Sequence, residues 1–217
     1  PVCSTDIRGP LQMTLASADS VLISENHDIS LLKLIDIPPA EYQPYFLGWN
    51  ASSDAGSSSS APFHGIHHPN GGIKKVAVEE DPLQYKSFII DGYNIVWEPN
   101  SFWEVRNWEI AETENGSSGS PLLDSQKRII GTLTGGSSKC SSPRGPDLYA
   151  SLHKLWNVQG SIDNPNPISY YLDPVGLGTV GLSGLNPYVH EPYTKSNNFK
   201  TDEKVSELYF ESVPMFA

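Results

Sequence analysis

Cysteine is scarce in this sequence. Cys3 and Cys140 are the only two, and neither belongs to a C-x-x-C pair, so the usual spacing of a zinc or dithiol redox site is missing. The two could bond to each other, stay reduced, or pair outside the chain, and composition alone does not choose. Basic residues are few as well: 14 Lys and Arg stand against 25 Asp and Glu, a formal net charge of −11. Phosphates would be repelled rather than neutralised, which excludes nucleic acid as a partner. Nothing approaches the roughly 18 consecutive apolar residues of a membrane-crossing helix, so no membrane partner is expected. Long amphipathic helices are missing too. The opening Pro1-Val2-Cys3-Ser4 has neither the basic start nor the apolar run of a signal peptide, and no initiator Met. The chain is therefore expected to begin inside a longer protein. No cofactor or metal motif is visible; Glu79-Glu80-Asp81 reads as a solvated turn without calcium-ligand spacing.

What remains is punctuation and short apolar runs. Hydrophobic residues make up 38% of the 217, enough for a core, and 18 Gly and 18 Pro suit strands joined by turns. Strands are expected at Leu11–Leu15, Ser20–Ser24, Asp28–Leu34, Ile73–Val78, Ser87–Ile90, Phe102–Trp108 and Arg128–Thr134, where β-branched and aromatic residues lie between turn formers. Short helical pieces are expected at Ile168–Leu172 and Asp202–Phe210. The pattern is all-β, a pair of barrels or a sandwich. Ser52–Ser60 reads as a flexible surface loop, and from Tyr188 the chain turns polar and irregular.

The segment Asn115-Gly116-Ser117-Ser118-Gly119-Ser120-Pro121-Leu122 carries the most chemistry. A nucleophilic serine needs an exposed Oγ on a tight turn and backbone N–H groups aimed at a developing oxyanion. Gly116 and Gly119 bracket Ser118 and permit both, because glycine tolerates unusual dihedrals and close approach. An ordinary Gly/Ser turn is the alternative. Upstream, Asp28 enters the apolar run Ile29-Ser30-Leu31-Leu32. A carboxylate there is costly unless partnered, and orienting a catalytic imidazole is one such use; a turn or cap aspartate is the other reading.

Together these segments resemble the trypsin-like serine proteases, and more closely their bacterial lysyl endopeptidase branch. "HDISLLKL" resembles the aspartate strand and "NGSSGSPLL" the serine loop. Gly48-Trp49, His67-His68-Pro69-Asn70-Gly71 with Lys74, Trp108, and Thr113-Glu114 each match a short motif of that branch in order. "KRIIGTLTGGSSKC", Asp147-Leu148-Tyr149, Trp156 and the closing "YYLDP…GLSGLNP" extend the likeness from Cys3 to Pro187. It implies an all-β, chymotrypsin-like double β-barrel with an incomplete N-terminal barrel. Residues 1–60 would be the remainder of the first barrel and the linker, 61–187 the second barrel, and 188–217 a linker or tail. Ser118 would be the nucleophile, Asp28 the orienting carboxylate, and the N–H groups of Gly116 and Ser118 the oxyanion hole. Asp147 would sit at the base of a pocket lined by Gly135 and Gly136, selecting a substrate lysine by charge.

The family's histidine segment, Ala-Ala-His-Cys-like, has no match before Asp28; only His27 stands there. In a strand it would point to the opposite face from Asp28. The resemblance thus implies a secreted, monomeric serine endopeptidase acting on polypeptides, without cofactor or metal, whose catalytic histidine belongs to a missing N-terminal segment of the same protein. It also implies that Cys3 and Cys140 pair with cysteines of that segment and not with each other. Ser117 replaces the Asp of digestive trypsins, so activation by a newly formed N-terminus is not expected. Thr134 stands where some relatives carry a pocket histidine. His67-His68-Pro69 is expected in a loop and strand edge of the second barrel, and His153 and His190 in solvent. A non-catalytic barrel used for binding is the competing function.

Overall fold

The computed structural model describes residues 13–89, 97–142, 145–159 and 165–187. The expected helix at Asp202–Phe210, the tail from Tyr188, His190 and Cys3 lie outside the described residues.

Two strands form a small sheet of their own. β1 (Ala18–Ser24) and β2 (Ile29–Leu34) are antiparallel, with Ser24 opposite Ile29 and Ile23 opposite Ser30. A 3₁₀ turn, Glu25–His27, joins them. Strand alternation buries Leu22 and Leu31 and leaves Ile23 and Leu32 about half exposed.

The larger sheet has nine strands. β3 is Gly48–Asn50, β4 Phe63–His67, β5 Lys75–Glu79, β6 Gln84–Lys86 and β7 Phe102–Val105. β8 is Pro121–Leu123, β9 Arg128–Gly136, β10 Asp147–Ser151 and β11 Gly181–Leu182. The main path runs β5-β4-β8-β9-β10-β7-β6, with β3 laid parallel to the start of β9 and β11 paired to β3. Its edge strands β5 and β6 are consecutive in the chain, linked by residues 80–83 alone, and so short a link reaches only about 3.5 Å per residue. The sheet must therefore curl back on itself. No ladder joins β5 to β6 among the described residues, so the barrel is not closed by hydrogen bonds. Two short helices follow β10: α1 (Leu152–Leu155), capped where Ser151 Oγ accepts the Lys154 N–H, and α2 (Ile168–Leu172). The architecture is all-β, a curled nine-stranded sheet beside a two-stranded one that falls far short of a barrel.

Two cores hold it. Phe63, Ala77, Trp103, Val105, Leu122, Ile130 and Tyr149 fill the curled sheet. The second core joins Leu22 and Leu31 of the small sheet to Trp49 of β3 and to Leu152, Leu155, Trp156, Ile168 and Leu172. The small sheet is thus seated on the C-terminal helices.

Several boundaries differ from the sequence reading. Residues 13–15 form no strand, and the strand expected at Ser87–Ile90 lies at Gln84–Lys86; Gln84 and Lys86 are exposed edge residues whose ladder to β7 fixes the register. β7 stops at Val105, before Arg106 and Asn107. β4 carries two histidines and a glycine, and β10 opens on an aspartate; neither reads as an apolar run, yet β10 is buried along its whole length. Position between two neighbours, not propensity, makes it a strand.

Candidate active site

The serine segment folds as two linked tight turns. Ser117 N–H donates to Glu114 O at 3.0 Å and Ser120 N–H to Ser117 O at 3.1 Å. Gly116 has φ +86° and Gly119 φ +79°, the left-handed region that a Cβ disfavours. The loop is pinned to β9: Gly119 N–H donates to Leu133 O at 2.7 Å, and Leu133 N–H to Ser120 O at 2.9 Å. Ser118 is exposed while Ser117 is buried. Among the described residues neither the Gly116 nor the Ser118 N–H is committed to a backbone acceptor. Tight turn, exposed hydroxyl and uncommitted N–H groups are what a nucleophile loop requires.

Asp28 closes the 3₁₀ turn in the left-handed conformation, φ 50° and ψ 51°, with its N–H donating to Glu25 O at 3.2 Å. This corrects the sequence reading: Asp28 caps the turn ahead of β2 and is exposed, not drawn into the strand's buried face. Its side chain opens on a cavity of about 430 Å³, lined by Ser24, Glu25 and Asp28 from the small sheet and by Ser118, Thr132 and Leu133 from the large one. Asp28 and Ser118 therefore line one cavity between the two sheets.

None of the five described histidines lines that cavity. His27 is buried in the 3₁₀ turn with Nδ1 3.0 Å from Ser24 Oγ. It lies in a turn capped by Asp28, not in the strand the sequence suggested. Burial lowers its pKa, against the charge of Glu98. His64 sits by the Lys127 ammonium, and His68 Nδ1 by Gly72 O. His67, the last residue of β4, is buried with Nδ1 2.8 Å from Ser117 Oγ. His153, expected in solvent, is half-buried with Nδ1 2.8 Å from Ala51 O.

Asp147 is 1% exposed at the head of β10, opposite Gly136, with Gly135 opposite Leu148. Trp108 Nε1–H and Thr113 Oγ1–H both donate to its Oδ2, at 2.7 and 2.8 Å. Burial pushes its pKa up, against these two donors and the Ser138 N–H, which hold it down. A Cβ on Gly136 would lie 2.2 Å from Asp147 Oδ1, whereas one on Gly135 would meet only the Phe88 ring at 3.7 Å. Gly136 thus leaves room for the carboxylate itself. Trp108 and Thr113 matched family motifs in the sequence without any role attached; their convergence on one oxygen needed the fold.

One further expectation is corrected. Glu79 is not in a solvated turn: it is 2% exposed at the end of β5, accepting the Asp81 N–H at 2.9 Å. Burial raises its pKa from 4.5 to about 7, assisted by the charge of Glu109. The acidic groups of Glu79, Asp81 and Glu109 lie within 4.8 Å of one another. Cys140 is disulfide-bonded. The expectation about its pairing with Cys3 falls on a residue outside the described ones.

Comparison with known proteins bears on this site. Residues 1–150 match the family model of the lysyl endopeptidase C-terminal domain. A lysyl endopeptidase of Pseudomonas aeruginosa is 32% identical over 120 residues, which are 54% of this chain and 23% of that protein. The match thus spans under a quarter of that relative's length. Among solved structures, the Rv3671c protease in an inactive form aligns with a TM-score of 0.43 and 18% identity over 62% of this chain and 60% of its own. The active form, from M. tuberculosis, aligns at 0.41 and 17% over 64% and 56%. Likeness at that level assigns no residue a role. Among the described residues no helix is long and apolar enough to cross a membrane. With well over half its length matched, the chain belongs to the lysyl endopeptidase C-terminal domain family.

Proposed function

We propose that this chain is the larger part of a secreted serine endopeptidase that cleaves polypeptides after lysine or another basic residue, with its general base supplied from outside these residues. The observation that carries the reading is the shared cavity: an exposed serine on a tight glycine-bracketed loop and an exposed carboxylate on the other sheet line one space. An imidazole placed there would take the proton of Ser118 Oγ and donate its other N–H to Asp28. Ser118 Oγ would bond to the scissile carbonyl carbon, and the Gly116 and Ser118 N–H groups would hold the oxyanion. The carbon–nitrogen bond then breaks as the imidazolium returns its proton to the leaving amine. Water, deprotonated by the same base, hydrolyses the acyl-enzyme and frees Ser118.

For specificity, a substrate ammonium would find a carboxylate already fixed by Trp108 and Thr113. Pairing would offset the desolvation that raises the Asp147 pKa and would reject acidic and neutral side chains.

The test compares lysyl-ester hydrolysis by the 217-residue chain, by a longer protein restoring the upstream histidine, and by its Ser118→Ala variant. Activity in the longer protein alone, abolished by Ser118→Ala, is expected; full activity in the short chain would refute an external base. The competing reading, a barrel that binds without catalysis, is favoured by the fact that no described histidine lines the cavity. A longer protein still lacking a histidine there would establish it.

A further inference from the structure

The loop that carries Ser118 is held from beneath by the segment that follows β4. His67 is 2% exposed and Ser117 1% exposed, with imidazole Nδ1 and hydroxyl Oγ 2.8 Å apart. The same Oγ accepts the Glu114 N–H at 3.3 Å, so it ties both ends of the turn to one ring. Asn70 N–H donates to Asn115 O at 2.7 Å. Gly116 lies against the same strap: a Cβ there would sit 3.4 to 3.6 Å from Asn70 N, Gly71 N and His68 O. Residues 67–71 therefore clamp residues 114–117, and the next two residues, Ser118 and Gly119, line the cavity, which none of residues 67–71 does.

We propose that His67 is the positioning residue of this loop: its buried bond to Ser117 holds the turn so that Ser118 Oγ and the Gly116 and Ser118 N–H groups face the cavity. The catalytic consequence rests on the serine-peptidase reading; the latch itself does not. The chemistry of the pair supports it. A buried carboxylate next to the nucleophile would demand a buried cation, whereas a serine needs only a neutral partner, and an imidazole is one. A neutral latch is made when the chain folds and waits for no newly created charge. His67 Nε2 is buried without a partner among the described residues, so a second ring proton would find no acceptor there. Burial, with the neighbouring His68, accordingly lowers the His67 pKa.

The experiment uses the 217-residue chain and needs no activity. Amide hydrogen exchange is read residue by residue in His67→Phe, which keeps ring bulk without the bond. It is read also in Ser117→Ala, in the double variant, and in His67→Asn, whose amide reaches the Nδ1 position. Exchange of the Ser117, Gly119 and Ser120 amides is expected to rise about tenfold in each bond-breaking variant and no further in the double variant, with β7 and β10 amides unchanged. His67→Asn should bring it back within about threefold of the parent. A rise spread over the whole sheet, no rise at all, or an Asn variant no better than Phe overturns the latch. In a longer protein with its histidine restored, kcat for a lysyl ester should fall about tenfold in His67→Phe with KM unmoved, and recover in His67→Asn. If that longer protein is inactive while the exchange pattern holds, the peptidase reading fails and the latch stands.

Discussion

Glu79→Gln is a substitution whose effect can be worked through to its sign. Glu79 lies at the end of β5, 2% exposed. Its Oε1 accepts the Asp81 N–H at 2.9 Å and its Oε2 the Asn107 N–H at 3.5 Å. Glu109 approaches from the neighbouring segment while accepting the Glu80 N–H at 2.7 Å. Burial outweighs the two N–H donors, and Glu109 adds to it, lifting the pKa from 4.5 to about 7. Between those values the folded chain holds a proton that the unfolded chain releases, so stability is full below about pH 4.5, falls as pH rises towards 7, and is level above. At about 1.4 kcal/mol per unit the ceiling is roughly 3 kcal/mol. Glu109 is exposed and its charge is screened, which brings the expected loss to about 2 kcal/mol. The amide of Gln fills the same space and can donate to Glu109 as the protonated acid does. Urea midpoints measured from pH 4 to 8 should coincide for parent and variant at the acid end. Above neutrality the variant should be the more stable by about 2 kcal/mol. Other groups titrate in both proteins, so the difference curve isolates Glu79. Parallel curves would show that Glu79 is ionised at neutral pH and would refute the argument.

Gly136→Ala puts a methyl 2.2 Å from Asp147 Oδ1 and 2.4 Å from Pro146 O; a loss of about 1–3 kcal/mol in denaturant midpoint is expected. Gly135→Ala, facing only the Phe88 ring at 3.7 Å, should cost less than about 1 kcal/mol, and equal losses would contradict the close approach. Thr113→Val removes one of the two donors to Asp147 Oδ2. It should cost about 1–3 kcal/mol in thermal denaturation and, in an active longer protein, raise KM for a lysyl ester more than it lowers kcat. Asp124 is 0% exposed and accepts from Arg128 Nε at 2.8 Å and from Asn50 Nδ2 at 3.2 Å, with Arg128 Nη2 at 2.7 Å. Asp124→Asn leaves the guanidinium half-partnered, and a loss of about 3 kcal/mol is expected in the same measurement.

Local chemistry was legible in the sequence where backbone and side chain both announce it. Gly116 and Gly119 bracket Ser118 because the turn needs positive φ at both, and that demand is visible as glycine. The β1–β2 hairpin was legible for a similar reason, since its buried leucines alternate with exposed positions. What stayed hidden depends on distant partners. Asp147 follows the turn formers Arg144-Gly145-Pro146, and only the strands on either side make it a buried acid. Asp28 suggested a buried strand entrance, yet a left-handed cap puts it outside. Glu79 sits in an acidic run, yet it alone of that run is buried, where the Asp81 and Asn107 N–H groups donate to it. In each case the missing information was a contact, not a propensity.

The seam itself shows how such contacts place chemistry. Asp28 is fixed to a two-stranded sheet, and an isolated hairpin has little stability of its own. It holds its position because Leu22 and Leu31 are buried against Leu152, Leu155, Trp156, Ile168 and Leu172, which come after the serine loop in the chain. A second tie runs from the turn beside Asp28, where Asn26 O accepts the Glu98 N–H at 2.8 Å. Ser118 is fixed separately, by β9 above and the His67 strap below. The two sides of the cavity therefore rest on different parts of the chain, and the distance between them is set by helix packing on the far side of the small sheet. A serine and a carboxylate placed this way are rigid relative to each other only while that second core is intact, which is why residues remote from the chemistry govern the geometry on which it depends.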